Sequence, residues 1–431
     1  MVPLIAAFVV LLAVLVSRCI LPPSAFTRGL IPAVPLWMSL YDACRGVNRL
    51  QFFETRVKPL IKQHGAVYVW TSGHWSVITT KPEYLMHMFR NETPGSSFAV
   101  LFGENIIDSS GPTWAHFATI IKPAIRKPKD IQSLREKSSQ LVGVLLNAQA
   151  LAFSGRGNAL AVMKENFPST LFMEFPFLQE FPFLFPWCRR ALSSIHKFEE
   201  LLVAHIDEWA SGRGESEKEK EKLLHRLLRA RGNFEISEFH YRSNLKMLIT
   251  AGHENAYAAL LSALWKLGLN LSVQSSLRHE ISRLPSDYTV DDLDQLPQLT
   301  AVIYKVLRLY PPLSQLVNRM GTWMGWYAYG VQTDPDIWGK DAKEFRPSRW
   351  GDDVTAVNNF FPLSQSKGYF IAFSAHSRRC LGSGFALTQL KVALAEILRK
   401  TSWMNDPTYH FAATAIAGNS PRGCRLVFTA T

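Results

Sequence analysis

Cysteine is scarce in this chain: its 431 residues include five, Cys19, Cys44, Cys188, Cys380 and Cys424. They are too scattered for a disulfide scaffold and none forms a C-x-x-C pair, which excludes a cysteine-stapled secreted module. A reducing, cytosol-facing location fits best. Charge is also sparse, at 19% of residues against 47% hydrophobic, so a disordered or low-complexity protein is excluded. Acidic residues are the shorter side, 35 against 47 Lys and Arg, for a net charge of +12. Such an excess attracts an acidic partner or an anionic membrane. Nucleic acid is the rival partner, but no nucleic-acid-binding motif supports it.

Basic residues are missing ahead of the longest apolar run. From Val2 to Leu21 the only charge is Arg18, close to the end, where its side chain can snorkel to the interface. That length spans a bilayer as a helix. A secretory signal would carry basic residues first and a small-residue cleavage site after, whereas this run ends in Pro22-Pro23. Arg18 and Arg28 on its C-terminal side place the body in the cytosol by the positive-inside rule. The expectation is a single-pass anchor over 2–21, the alternatives being a cleaved signal or a buried core helix. A proline-containing linker follows over 22–49, with Ile31-Pro32-Ala33-Val34-Pro35 as a stiff spacer. One catalytic body then fills 50–431.

That body reads as mostly helical. β-Branched and aromatic residues over Ala66–Trp70 and His74–Thr80 predict a hairpin of strands. The stretch Ile236–Leu267 is apolar almost all round and predicts a helix buried through the middle, broken at its centre by Ala251-Gly252-His253-Glu254-Asn255. Polar groups and a glycine there cost stability unless each polar atom finds a partner. The run Glu215–Lys222 alternates acid and base and reads as a solvated helix end or loop. Phe172–Trp187 repeats Phe-Pro-Phe-Leu twice and reads as a packed apolar loop or a surface that dips into lipid.

The strongest chemical signal is Phe373-Ser374-Ala375-His376-Ser377-Arg378-Arg379-Cys380-Leu381-Gly382, followed by an amphipathic helix over about Phe385–Arg399. A lone cysteine is more often a core thiol. This one follows two arginines at a helix N-terminus, a setting that favours a thiolate. A thiolate suits a soft metal or a haem iron. No second cysteine or histidine cluster lies near enough for zinc, which leaves a single-thiolate ligand.

The segment resembles the haem-binding loop of the cytochrome P-450 family, F-x-x-G-x-R-x-C-x-G, with Phe373, Arg378, Cys380 and Gly382 in place. Further segments agree in order. Ala251-Gly252-His253-Glu254 resembles the oxygen-activation stretch, Leu307-Arg308-Leu309-Tyr310-Pro311-Pro312 the end of the E-x-x-R helix, and Phe345-Arg346-Pro347-Ser348-Arg349-Trp350 the following meander. The resemblance implies a mainly α fold with small β-sheets and a bound haem b (iron protoporphyrin IX). Cys380 would be the axial iron ligand, Arg378 would pair with a propionate, and Trp114 would belong to the family's Trp-x-x-x-Arg haem contact. Glu254 and Asn255 would handle protons. It further implies a monooxygenase of the endoplasmic reticulum membrane that takes electrons from an NADPH-cytochrome reductase docked on the basic surface. The substrate would be small and apolar, and the style, including Asp334-Pro335-Asp336-Ile337-Trp338-Gly339, is similar to fungal microsomal members of secondary-metabolite pathways.

The chain departs from the family pattern at several positions. The loop glycine is His376 and the oxygen-activation threonine is Asn255. The E-x-x-R glutamate is Lys305, which would gather Lys305, Arg308 and Arg349 as three cations where a buried pair would be worth about 3–5 kcal/mol to keep intact. The arginine of Trp-x-x-x-Arg is Ala118, with His116 a candidate substitute. A pair of short strands is absent between Asn318-Arg319-Met320 and Gly321-Thr322-Trp323, which would leave sheet edges unpaired, and Ser154–Asn158 looks similarly abbreviated. Three readings follow: a monooxygenase, a haem enzyme without oxygen activation (an isomerase or dehydratase), or a degenerate non-catalytic relative.

Overall fold

The computed structural model describes residue 22, residues 30–147 apart from 72, 92–101, 126–127 and 129, residues 151–152 and 186–211, residues 222–411 apart from 314 and 321, and residues 420–431. The apolar run 2–21, the two Phe-Pro-Phe-Leu repeats, Ser154–Asn158 and nearly all of Glu215–Lys222 lie outside the described residues. Among the described residues, no single helix is long and apolar enough to cross a membrane.

The expected hairpin forms from β1 (Ala66–Thr71) and β2 (His74–Thr79), paired antiparallel from Ala66↔Thr79 to Thr71↔His74. Its β-branched and aromatic side chains are buried along both strands, so the hairpin is a wall of the core and not a surface flap. The upstream segment is part of this wall. The Val34 amide donates to the Tyr68 carbonyl at 2.9 Å and the Tyr68 amide to the Pro32 carbonyl at 2.8 Å. Helix α1 (Leu36–Cys44) follows, with Val34 and Leu36 buried. The C-terminal half of the expected spacer is therefore docked on β1, because Pro32 and Val34 satisfy that strand's outer backbone groups.

Helices α2 (Gly111–Ile121), α3 (Gln132–Asn147) and α4 (Leu223–Gly232) lead to the 32-residue α5 (Glu238–Leu269). The Ser237 hydroxyl caps α5 by accepting from the His240 amide at 3.1 Å. The expected break at 251–255 is absent: α5 runs through it. The Asn255 side chain donates to the Ala251 carbonyl at 3.1 Å, a partner within its own helix. Burial differs from the expectation as well. The stretches Tyr241–Met247 and Ala259–Gly268 of α5 are mostly buried, while Gly252 and His253 between them are exposed.

Next come α6 (Leu271–Ile281) and α7 (Pro297–Leu309), then β4 (Gln315–Met320) and β5 (Thr322–Tyr327). These strands pair antiparallel along their whole length, from Gln315↔Tyr327 to Met320↔Thr322, and β5 runs parallel to β2, giving the order β1-β2-β5-β4. At this junction β4 and β5 take each other as partners, and β4 forms an outer edge of the sheet. Helix α8 (Ser383–Lys400) ends the helical body; it leads into β6 (Thr401–Asn405), which pairs with β7 (Arg425–Ala430), and β7 pairs in turn with β3 (Leu151–Ala152). The main core lies where α5, α6, α7 and α8 meet.

Candidate functional site

The cysteine loop leaves the core at Ile371 and re-enters it at α8. Ile371, Phe373 and Ala375 are buried, and the Cys380 amide donates to the Phe373 carbonyl at 2.9 Å, which folds the loop back on itself. Two non-glycine residues take left-handed backbone angles, Ser374 at φ 57° and His376 at φ 54°. The position filled by glycine in the family does need that conformation here, and histidine adopts it at a cost of roughly 1–2 kcal/mol. A 3-10 turn over His376–Arg378 then presents Cys380.

Cys380 is exposed along its side chain although it lies deep in the molecule. Burial pushes the thiol pKa up, against the lowering pull of the Gly382 N–H and the Arg379 charge. The start of α8, through the Gly382 N–H, and the arginine beside the cysteine act in the expected direction, and burial outweighs them. A bound metal cation would supply the missing stabilisation, since a coordinating thiol is deprotonated outright.

Arg378 and Trp114 are brought together. The guanidinium carbon stands 4.8 Å from the centre of the Trp114 ring, and Nη2 donates to the carbonyls of Ile107 (3.0 Å) and Ser109 (2.9 Å). Arg378 thereby joins the cysteine loop to α2 and the segment before it. Ala118 packs into the apolar cluster of α2 and α4. His116 does not stand in for an arginine, because its Nε2 is engaged by the Glu235 carbonyl at 2.8 Å, at the junction of α4 and α5.

On α5, one N–H of the Asn255 amide is committed to Ala251, leaving the other N–H as a donor and Oδ1 as an acceptor. The His253 Nδ1 lies 3.8 Å from the half-buried Glu254 carboxylate. Ala259 and Ala263, one and two turns further on, line a small apolar gap with Leu390 and Leu394 of α8 and Val306 and Leu307 of α7. A Cβ built at Gly252 or at Gly382 would meet nothing within 4 Å. An exposed thiol, open space at Gly382 two residues on and a buried Phe373 fit a flat group held through one sulfur. Among the described residues no three His, Cys, Asp or Glu side chains gather as a metal site. A haem with Cys380 as sole protein ligand agrees with that donor set.

Behind the loop lies the Lys305 region. Lys305 and Arg308 are both 0% exposed. The Lys305 Nζ has no hydrogen-bond partner, and burial, then the charges of Arg308 and Arg349, push its pKa down to about 6. Arg308 donates to the carbonyls of Gln332 and Ala342, and its guanidinium lies 4.5 Å from the Trp338 ring centre. The expected cluster of three cations contains an acid that the sequence did not mark: Asp341 pairs with Arg349 at 2.5 Å and with Arg346 at 2.7 Å.

The class to which this mainly helical fold and its cysteine loop belong is given by comparison with known proteins. The cytochrome P-450 family model matches residues 150–411. The chain is 34% identical to the cytochrome P-450 monooxygenase xanG of Aspergillus fumigatus, over 90% of this chain and 84% of that protein. The alignment runs over 458 positions, more than the 431 residues present, so that relative carries internal residues which this chain lacks. Cytochrome P-450-DIT2 of Saccharomyces cerevisiae is 25% identical over 95% of this chain and 94% of its own. Among solved structures, a retinoic-acid-bound cyanobacterial CYP120A1 superposes with a TM-score of 0.69 at 19% identity, covering 90% of this chain and 96% of that one. The chain belongs to the cytochrome P-450 family and is a haem monooxygenase by that membership.

Proposed function

We propose that the enzyme inserts one oxygen atom into a small apolar substrate, drawing electrons from an NADPH-cytochrome reductase, and that it serves a fungal secondary-metabolite pathway. The observation that carries this reading is the exposed Cys380 thiol, set in a loop whose backbone is held by the Phe373 carbonyl and joined to Trp114 through Arg378. Haem bound through a thiolate supplies an iron whose ligand pushes electron density outward and favours O–O cleavage. Cys380 is the residue that would hold it, with Arg378 and Trp114 beside it, Phe373 and Gly382 shaping the loop, and Glu254 with Asn255 handling protons on α5. Overall, substrate, dioxygen, NADPH and a proton become hydroxylated product, water and NADP.

A second reading keeps the haem and drops oxygen activation, as in an isomerase or a dehydratase. One observation favours it: Asn255 offers an amide with one N–H already held by the Ala251 carbonyl, and an amide cannot donate and accept through one atom as a hydroxyl does. We further propose that the anchor over 2–21 holds the body on the cytosolic face of the endoplasmic reticulum membrane. Support comes from Trp37 and Tyr41, four residues apart on α1 and both exposed, where amphipathic rings would sit at a lipid interface. The net charge of +12 suits an acidic reductase.

The deciding experiment is a spectrum of the reduced protein under carbon monoxide. A thiolate-type Soret band that disappears in Cys380→Ala supports a haem enzyme, whereas a parent protein without haem sinks both readings. Substrate-dependent NADPH consumption with a reductase then separates the monooxygenase from the non-oxygenating enzyme.

A further inference from the structure

Gln332 lies between α7 and the cysteine loop and is 0% exposed. Its side chain makes three hydrogen bonds to two distant segments. Nε2 donates to the carbonyls of Leu307 (3.2 Å) and Arg308 (2.9 Å) at the end of α7, and Oε1 accepts from the Ile371 amide at 2.9 Å. The Gln332 carbonyl receives the Arg308 guanidinium. Both faces of this one residue are thus tied to the helix that carries Arg308, and its amide oxygen is tied to the first residue of the loop.

We infer that Gln332 is a positioning residue of the haem-binding loop, fixing the height at which Cys380 is presented. The path from it is short and starts in the core, at Ile371 and Phe373. Ile371 is held at its amide by Gln332, its own carbonyl accepts from the Ser374 amide at 3.0 Å, and the Phe373 carbonyl accepts from the Cys380 amide at 2.9 Å. Ser374 and His376, both at left-handed angles, lie within that path, so the loop stores strain that a fixed anchor must oppose. Elsewhere in the family pattern an ion cluster would brace this region, but Lys305 removes the acid from α7. A neutral amide that donates and accepts at once provides the brace in its place.

The inference rests on the reading that Cys380 holds the haem iron. The test uses the full-length protein and a matched control elsewhere in the core. Gln274 is buried in the same way and bonds the Leu267 and Trp403 carbonyls (3.2 and 3.0 Å) and the Trp403 amide (3.3 Å), far along the chain from the cysteine. In Gln332→Met, amide hydrogen exchange over 371–380 should quicken by about tenfold or more while 401–405 stays near the parent rate. Gln274→Met should do the reverse. The reduced, carbon monoxide-bound Soret band should lose thiolate character in Gln332→Met and keep it in Gln274→Met. Gln332→Glu retains the acceptor for Ile371 and loses the donor to α7, so it should protect 371–380 better than Met does. This variant also serves if Gln332→Met does not fold. Equal exchange over 371–380 in both Met variants, or no change in Gln332→Met, overturns the inference. A parent protein lacking the thiolate signature would overturn the functional reading, and the exchange data would still report on the brace.

Discussion

His376 and Lys305 both replace a residue that the family pattern fixes, and the structure accommodates them differently. At His376 the backbone keeps φ at 54°, so the geometry is preserved and a wrong side chain is carried on it. The cost is conformational, local and of order 1 kcal/mol. At Lys305 the position is preserved too, but the charge is reversed inside a sealed core. There the cost is set by neighbours: Asp341 answers Arg349, two carbonyls and the Trp338 ring answer Arg308, and no hydrogen bond answers Lys305. A misfit of shape is absorbed where it occurs, whereas a misfit of charge must be met by partners or discharged.

The contrast is most exposed to failure at Lys305. Lys305→Met keeps volume and removes the buried amine, and stability should rise by about 3 kcal/mol or more, read as a higher denaturant midpoint. A variant no more stable than the parent would break the comparison. The pH profile sharpens it. The folded protein holds the Lys305 proton only below about 6, whereas the unfolded chain holds it up to 10.5. Between those values unfolding takes up a proton, so stability should climb with pH by up to about 1.4 kcal/mol per unit. Below about 6 both states are charged, the slope from this residue vanishes and its full penalty remains. The climb should be flatter in Lys305→Met, and parallel profiles would refute the assignment.

A smaller effect is expected at Asp341. The hydrogen bond from Arg349 holds its carboxyl below the ordinary 3.8, so the stabilisation it gives is present at neutral pH and fades as acid titrates the folded form. Asp341→Asn should be less stable than the parent near pH 7, with the gap closing in acid as followed by tryptophan fluorescence. The smallest effect belongs to the loop: His376→Gly should gain about 1 kcal/mol and His376→Val should lose stability, both by calorimetry. A large gain from His376→Gly would mean that the loop, and not the charge, is the main defect.

Elements with a strong local signature were readable from the chain. The hairpin 66–79 declares itself through β-branched and aromatic residues, and α5 and α8 lie within a few residues of where their apolar spacing puts them. The cysteine loop is legible because its four matching residues fall within ten positions. What escaped depends on partners far apart in sequence. Pro32 and Pro35 read as a spacer, yet the Pro32 carbonyl and the Val34 amide pair with Tyr68 and the Pro35 carbonyl accepts from Met38 at the start of α1. Asp341 and Gln332 carry no local mark, since an acid before a meander and a glutamine after a strand are ordinary until folding sets them against Arg349, Arg308 and Ile371. The polarity of 251–255 suggested a broken helix because the sequence does not show that Asn255 bonds its own turn.

Lys305 also gives the molecule an internal gauge. At 0% exposure the Lys305 amine cannot meet acylating reagents while α7 stays in place, and on opening it takes up a proton and reacts only as an ordinary lysine does. Its slow acylation therefore requires opening of the core and reports the population of the open form. The residue that weakens the fold is the one whose labelling rate would record how much of it stands open.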